Sequence, residues 1–240
     1  MPRRARPDRR RLPQNISILH EDTDILVVVK PPGLLTMGTA AEKTRTAYFI
    51  LTEYVRGGGS RARNRIFIVH RLDRETSGIL VFARNEAAKR HLQDHWDETR
   101  KRYLAVVHGR CEKDSDTITS YLAETRAYRV YSTTNPAQGR LSRTEYRVLK
   151  STSRFSLLEI DLLTGRKHQI RVHLAGIGHP VVGDRRYGPP DKKHRQLALH
   201  AQKLAFAHPV TREPLVFEAE PPEHFSRLVG RVSSARRKAP

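Results

Sequence analysis

Residues 66–84 read IFIVHRLDRETSGILVFAR. Two apolar runs, Ile66 to Val69 and Ile79 to Phe82, are short, partly β-branched and bounded by turn residues, which predicts strands. Between them lie His70-Arg71-Leu72-Asp73-Arg74 and a turn, Glu75-Thr76-Ser77-Gly78. Asp73 therefore falls on a connection, flanked by arginines at 71 and 74, and cations on either side favour the charged carboxylate. A carboxylate on a loop supported by two rigid strands suits nucleophilic catalysis. The same residues also describe an inert surface ion pair, which is the commoner arrangement, and on their own they do not separate the two.

Outward from this stretch the chain alternates strand-like and turn-like segments. On the N-terminal side, Ile16–Leu19 and Ile25–Val29 read as strands joined by His20–Asp24. Lys30-Pro31-Pro32-Gly33 ends the second, because proline has no N–H for the ladder. Thr46–Val55 reads as a helix stopped by Gly57-Gly58-Gly59, and the chain from there to Arg65 as a Gly- and Arg-rich loop. On the C-terminal side, Asn85 is a candidate N-cap for a helix on which Ala88, Leu92 and Trp96 form one stripe. Further strands are expected at Arg102–His108 (Tyr103, Ala105 and Val107 on one face), Thr117–Leu122, Tyr128–Tyr131, Arg143–Leu149 and Phe155–Leu163. Arg166–Ala175 reads as a helix closed by Gly176 and Gly178, with Pro180 beyond. Leu197–Phe206 and Leu215–Ala219 complete the strands. Many strands, few helices and hairpin-length connections predict an α+β domain on a large, mixed, mostly antiparallel sheet. Residues 1–15 read as a disordered basic arm, 16–228 as one domain and 229–240 as a basic tail.

The chain carries 45 Lys plus Arg against 25 Asp plus Glu, a net charge of +20. Such an excess opposes compaction by self-repulsion and suits a polyanionic partner, with nucleic acid the default. A membrane partner is not expected, since no amphipathic basic helix and no long apolar span is present. Cys111 is the single cysteine, so no intramolecular disulfide forms and a cysteine-based metal site is not expected. The 12 histidines include no HExxH pattern, and His168 and His173, five apart, do not share one helical face. Neither a metal nor a cofactor is expected. The Arg-rich start lacks the apolar core of a secretory signal, which favours a reducing cytoplasmic setting.

Five segments in order, KPPGLLT (30–36), HRLDRETSGILVFARN (70–85), KRYLAVVHG (101–109), LLTGRKHQIRVHLAGIGHPVVGDRRYG (162–188) and LALHAQKLAFAHP (197–209), resemble the RluA-type family of RNA pseudouridine synthases. The resemblance runs from about Ile16 to Phe225. It implies an elongated mixed sheet with a central cleft between two halves, and isomerisation of uridine to pseudouridine within RNA without a cofactor. It implies Asp73 as nucleophile, Tyr103 against the uracil ring, Arg171 paired with Asp73, and Leu199 as the apolar support of the tyrosine. Arg71 matches the arginine that fills the space left by the flipped-out nucleotide, a role suited to a planar guanidinium that stacks and hydrogen-bonds. Without the resemblance, Tyr103 reads as a core aromatic and Arg171 as a phosphate-binding or solvated helix residue.

Family substrates include ribosomal and transfer RNA, and a monomer is expected because no apolar interface stripe is left over. Two other classes fit the charge. A non-catalytic RNA-binding protein would not need Asp73, Tyr103 and Arg171 together. A metal-dependent nuclease would need converging carboxylates, and only Glu75 stands near Asp73 in sequence. Two departures from the family pattern stand out: the loop 57–65 is unusually glycine- and arginine-rich, and the segment 126–139 matches nothing in it.

Overall fold

The structure is a computed structural model that describes residues 11–57 and 64–231. Twelve strands form one sheet: β1 (Arg11–Leu12), β2 (Ile16–Glu21), β3 (Ile25–Lys30), β4 (Phe67–Ile68), β5 (Ser77–Ala83), β6 (Arg100–His108), β7 (Ser115–Glu124), β8 (Val130–Thr133), β9 (Arg140–Ser151), β10 (Phe155–Leu162), β11 (Leu199–Ala207) and β12 (Pro214–Glu218). Their order is β1-β2-β3-β5-β11-β6-β10-β9-β7-β8, with β12 on β11 and β4 on β5. Every named strand pairing is antiparallel except β5 with β11. The mixed, mostly antiparallel α+β expectation therefore holds.

The parallel contact divides the sheet into two halves. β5 and β11 share two register pairs, Ser77 with His200 and Gly78 with Ala201. Gly78 is required there: its φ is 118°, and a Cβ would sit 2.3 Å from the Ala201 carbonyl oxygen. The Ser77 hydroxyl meets His200 Nδ1 at 2.9 Å, and His200 Nε2 meets the Ala219 carbonyl at 3.2 Å. The carbonyl can only accept, so Nε2 carries the proton and Nδ1 accepts from Ser77.

Among the described residues, four α-helices pack on this sheet: α1 (Ala47–Arg56), α2 (Glu86–Asp94), α3 (Gln169–Gly176) and α4 (His224–Val229). α1 starts at Thr46, whose hydroxyl accepts from Phe49 N, and stops at Gly57 in the left-handed region. α2 starts at Asn85, whose side chain accepts from Ala88 N. β3 and β5 are apolar on both faces. Leu26, Val28, Leu80 and Phe82 pack toward α1, while Ile25, Val27, Ile79 and Val81 pack toward α2. The other half is filled by Leu104 to Val107, Leu157, Leu158, Ile160, Ile170, Leu174 and Phe225. Burying such side chains contributes roughly 1.5–3 kcal/mol each before the entropy of ordering is subtracted.

Several expectations need correction. Residues 11–15 are not a disordered arm. Arg11 and Leu12 pair with Ser17 and Ile16, and Pro13–Asn15 forms a 3₁₀ turn. The ladder satisfies backbone groups that the charge of the segment does not reveal. The domain does not end at residue 228, because α4 runs to Val229 and buries Phe225 and Val229. Strand β4 covers two residues of Ile66–Val69, and the strand expected at Tyr128–Tyr131 begins at Val130, since Tyr128 has a φ of 58°. Most of the Gly- and Arg-rich loop (58–63), residues 1–10 and the tail from 232 lie outside the described residues.

Candidate active site

Asp73 sits on the connection from β4 to β5, at the junction between the two half-sheets, and its backbone carbonyl accepts from Thr76 N. The loop is held from behind by residues 30–36. Lys30 is fully buried, and its Nζ donates to the carbonyls of Pro31, Leu34 and Arg74 at 2.9, 2.8 and 3.0 Å. Gly33 N donates to the same Arg74 carbonyl at 2.9 Å. The Thr36 hydroxyl donates to the Leu72 carbonyl and accepts from Leu72 N. Burial pushes the Lys30 pKa down to about 7, against the opposing pull of Glu75 and Asp73. His70 completes the frame. Its Nε2 accepts from Val81 N at 3.1 Å and its ring stacks on Trp96 at 4.4 Å, so the side chain takes a backbone donor on β5 that β4 is too short to reach. Burial first, and then the charge of Lys101, drop the His70 pKa to about 3, which keeps it neutral.

The cation that reaches Asp73 comes from α3 and not from the flanking arginines. Arg171 Nη1 donates to Asp73 Oδ2 at 3.2 Å. Its Nε and Nη2 grip Asp184 as a fork, at 2.7 and 2.8 Å, and its guanidinium lies 5.2 Å from the Tyr187 ring centre. The Asp184 side chain is fully buried and also accepts from Arg186 N and Tyr187 N. Burial pushes Asp184 up, but Arg171 and the two backbone donors outweigh it, so its pKa lies below the ordinary carboxylate value. Burial acts against the Arg171 charge too, and Asp184 with Asp73 reverses the balance and raises its pKa. A buried, forked Arg–carboxylate pair of this kind aims the remaining guanidinium nitrogen.

α3 begins later than the sequence suggests. His168 adopts the left-handed conformation (φ 54°), so Arg166 and Lys167 cannot belong to the helix. Gln169 anchors its start, donating to the Arg143 carbonyl and accepting from Arg166 N. His173 bridges Thr144 and Ser120, and burial lowers its pKa to about 4.

Tyr103 on β6 and Leu199 on β11 line the opposite wall, and Leu199 pairs in register with Ala105, two residues from Tyr103. The cleft between these walls measures about 280 Å³. Asp73, Tyr103, Arg171, Leu199, His168 and Arg71 all line it, with Arg71 itself exposed. Burial first, and then the Asp73 charge, raise the Tyr103 pKa above its ordinary value, so the phenol is neutral.

The structure thus brings together Asp73, Tyr103, Arg171 and Arg71, along with Leu199. The sequence reading missed Lys30, His70, His168, Asp184 and Tyr187, although every one lies inside a quoted motif segment. One mixed cluster among the described residues has metal-ligand types, namely Asp22, Asp24 and His208. His208 Nδ1 accepts from Val210 N and Thr211 N, which leaves the proton on Nε2, pointed at Asp22 at 3.2 Å. That tautomer gives the cluster a network of mutual hydrogen bonds. No helix among the described residues is long and apolar enough to cross a membrane.

Comparison with known proteins identifies the family. The family model for RNA pseudouridylate synthase matches residues 24–176. The chain is 36% identical over 217 residues to the uncharacterized RNA pseudouridine synthase YhcT of Bacillus subtilis (strain 168), covering 89% of this chain and 71% of that protein. It is 33% identical over 228 residues to ribosomal large subunit pseudouridine synthase C of Vibrio vulnificus (strain CMCP6), covering 91% of this chain and 70% of that protein. The solved structure of human RNA pseudouridylate synthase domain containing 1 superposes with a TM-score of 0.72 at 28% identity, covering 90% of this chain and 86% of that one. With the ordered motifs, the divided sheet and the matched family model together, the chain belongs to the RluA-type RNA pseudouridine synthases and is an RNA-modifying isomerase.

Proposed function

We infer that this cleft isomerises specific uridines of ribosomal or transfer RNA, with Asp73 as the nucleophile on a flipped-out uridine. The observation that carries the reading is the state of the Asp73 carboxylate. Arg171 holds Oδ2 at 3.2 Å, and among the described residues no donor reaches Oδ1. One oxygen is fixed and the other is left for attack, in a cleft whose far wall is an aromatic ring. Tyr103, as a neutral phenol, supports the uracil face, with Leu199 behind it. Arg71, exposed at the rim, fills the gap left in the RNA stack.

The reaction balances without a co-reactant. The N1–C1′ bond breaks and a C5–C1′ bond forms. C5 gives up a proton, N1 gains one, and Asp73 is released unchanged. The net charge of +20 supports binding to the RNA backbone, and two relatives carry names that specify the large ribosomal subunit, pseudouridine synthases C and D. The proposed enzyme acts as a monomer in the cytoplasm.

The test is pseudouridine mapping of total RNA from cells lacking the gene, rescued by wild type or by Asp73→Asn. Discrete sites restored by wild type alone support the reading and name the substrate. Restoration by Asp73→Asn would remove the nucleophile, and a map unchanged by loss of the gene, together with inactivity of the purified protein on transcribed RNA, would remove the substrate.

A further inference from the structure

His168 is not among the residues the sequence assigns a role, yet it occupies a costly conformation at the edge of the cleft. Its φ of 54° is unusual for a residue with a side chain, and its imidazole is largely enclosed, with 11% of its surface exposed. The Nε2 atom lies 3.7 Å from Asp73 Oδ2, the same oxygen that Arg171 holds. This is too long for a hydrogen bond and short enough for a direct electrostatic contact. Nδ1 lies 2.8 Å from the Tyr187 hydroxyl.

The proton on this ring can be assigned from the network. Val130 N donates to the Tyr187 oxygen at 3.2 Å. Among the described residues, the acceptor within reach of the Tyr187 hydroxyl proton is His168 Nδ1. Nε2 faces the Asp73 carboxylate oxygen, which favours the tautomer with the N–H on Nε2 and Nδ1 accepting from the Tyr187 hydroxyl. Burial first, with Arg171, Arg186 and Lys167 adding to it against the pull of Asp73, lowers the His168 pKa and keeps the ring neutral. Val130 opens β8, the return strand of the hairpin whose segment 126–139 departs from the family pattern. That hairpin rests on the same corner of the site: Arg186 donates to the Tyr128 carbonyl, Lys167 pairs with Glu124, and Val130 packs with Leu122, Val172 and Tyr187.

We propose that His168 is a positioning residue for Asp73: its Nε2–H, set by Tyr187 and the β7–β8 hairpin, directs the carboxylate so that Oδ2 stays engaged and Oδ1 faces the uridine. The proposal rests on the reading of Asp73 as nucleophile. It gives the hairpin a line to the chemistry, because a shift of Val130 on RNA binding releases or tightens the Tyr187 hydroxyl and so the ring that faces Asp73.

The experiment is steady-state kinetics on one transcribed RNA substrate with wild type, His168→Gly, His168→Gln, Tyr187→Phe and Asp73→Asn, with RNA affinity measured in parallel. Glycine tolerates the left-handed backbone and removes the imidazole. Glutamine restores an N–H donor near the Nε2 position. Expected are a fall in kcat of about 10-fold or more for His168→Gly with KM within about twofold, recovery to within about threefold of wild type for His168→Gln, and an intermediate fall in kcat for Tyr187→Phe. Wild-type kcat in His168→Gly, or a change confined to KM, would overturn the proposal, as would equal loss in the Gly and Gln variants. If His168→Gly does not fold, the Gln and Tyr187→Phe variants decide: wild-type kcat in Tyr187→Phe, or loss of kcat in His168→Gln beyond about 10-fold, overturns it. Turnover by Asp73→Asn would instead remove the underlying nucleophile reading, whatever His168 does.

Discussion

Two buried cations frame the Asp73 loop, and they are handled in opposite ways. Behind the loop, Lys30 is wholly enclosed and meets three backbone carbonyls and, among the described residues, no carboxylate at hydrogen-bonding distance. Its pKa is driven down to about 7 by burial. In front, Arg171 is nearly as enclosed but forks onto Asp184 and reaches Asp73, and its pKa rises. Burial is the first influence in both places, and what differs is the partner. Dipoles hold a backbone in place without adding a net charge opposite, whereas a carboxylate pair fixes a guanidinium and leaves one nitrogen aimed at a third group. The rear of the loop is thus a brace for the chain, and the front is a device for orienting a carboxylate.

Breaking the front should have the largest effect. Arg171→Ala leaves Asp184 buried without its partner and is expected to cost about 3–5 kcal/mol of stability together with at least about 100-fold in activity. Denaturant melts and turnover measure both. The double variant Arg171→Met, Asp184→Asn sharpens the contrast: stability should recover in part, while activity should not, because nothing then aims at Asp73. Recovery of activity would mean that Arg171 acts only as structural filling.

Acid should act next, through two histidines that tie down the same two regions. His173 fixes α3 in front and His200 closes the β5–β11 junction behind, and burial holds both near pKa 4. Both folded values lie below the unfolded value of about 6.5, so the unfolded chain binds protons that the folded chain does not. Their contribution is intact above pH 6.5 and is lost as pH falls toward 4, by roughly 2–3 kcal/mol for each histidine. Thermal melts across that window should show the slope, and His200→Gln should remove its share. A flat profile would mean that these rings are not buried neutral.

Breaking the rear brace should be mildest. Lys30→Met keeps the length of the side chain and leaves the Pro31 and Leu34 carbonyls without the donor, while Arg74 retains Gly33 N–H. A loss of about 1–2 kcal/mol is expected, with a smaller fall in kcat than for Arg171→Ala. A fall in kcat equal to that of Arg171→Ala would erase the distinction between brace and orienting device.

The sequence made the strands legible wherever apolar runs met turn residues, as in Ile25–Val29, Arg102–His108 and Phe155–Leu163. It also placed Asp73 on a loop and a helix start at Asn85, because a cap is local chemistry. Its local residue chemistry could not show which cation meets Asp73; only the family resemblance pointed to Arg171. Arg71 and Arg74 are its neighbours in sequence, and the partner is 98 residues away. It gave no sign that Lys30 is buried, since lysine is almost never enclosed without a pair, nor that α3 starts only after a left-handed His168, a conformation usually marked by glycine. α4 has no side-chain cap at Glu223 and spans six residues, too little for a periodic pattern to stand out. The order of residues 11–15 comes from pairing with β2, which their charge conceals.

The most direct test of the central claim is product formation by purified Asp73→Asn on RNA labelled with tritium at uridine C5, alongside RNA affinity. Isomerisation joins C5 to C1′ and releases that tritium to water. The expected result is no release above background, with affinity within about threefold of wild type, since phosphate contacts dominate binding. Tritium release by Asp73→Asn at a measurable fraction of the wild-type rate would contradict the account.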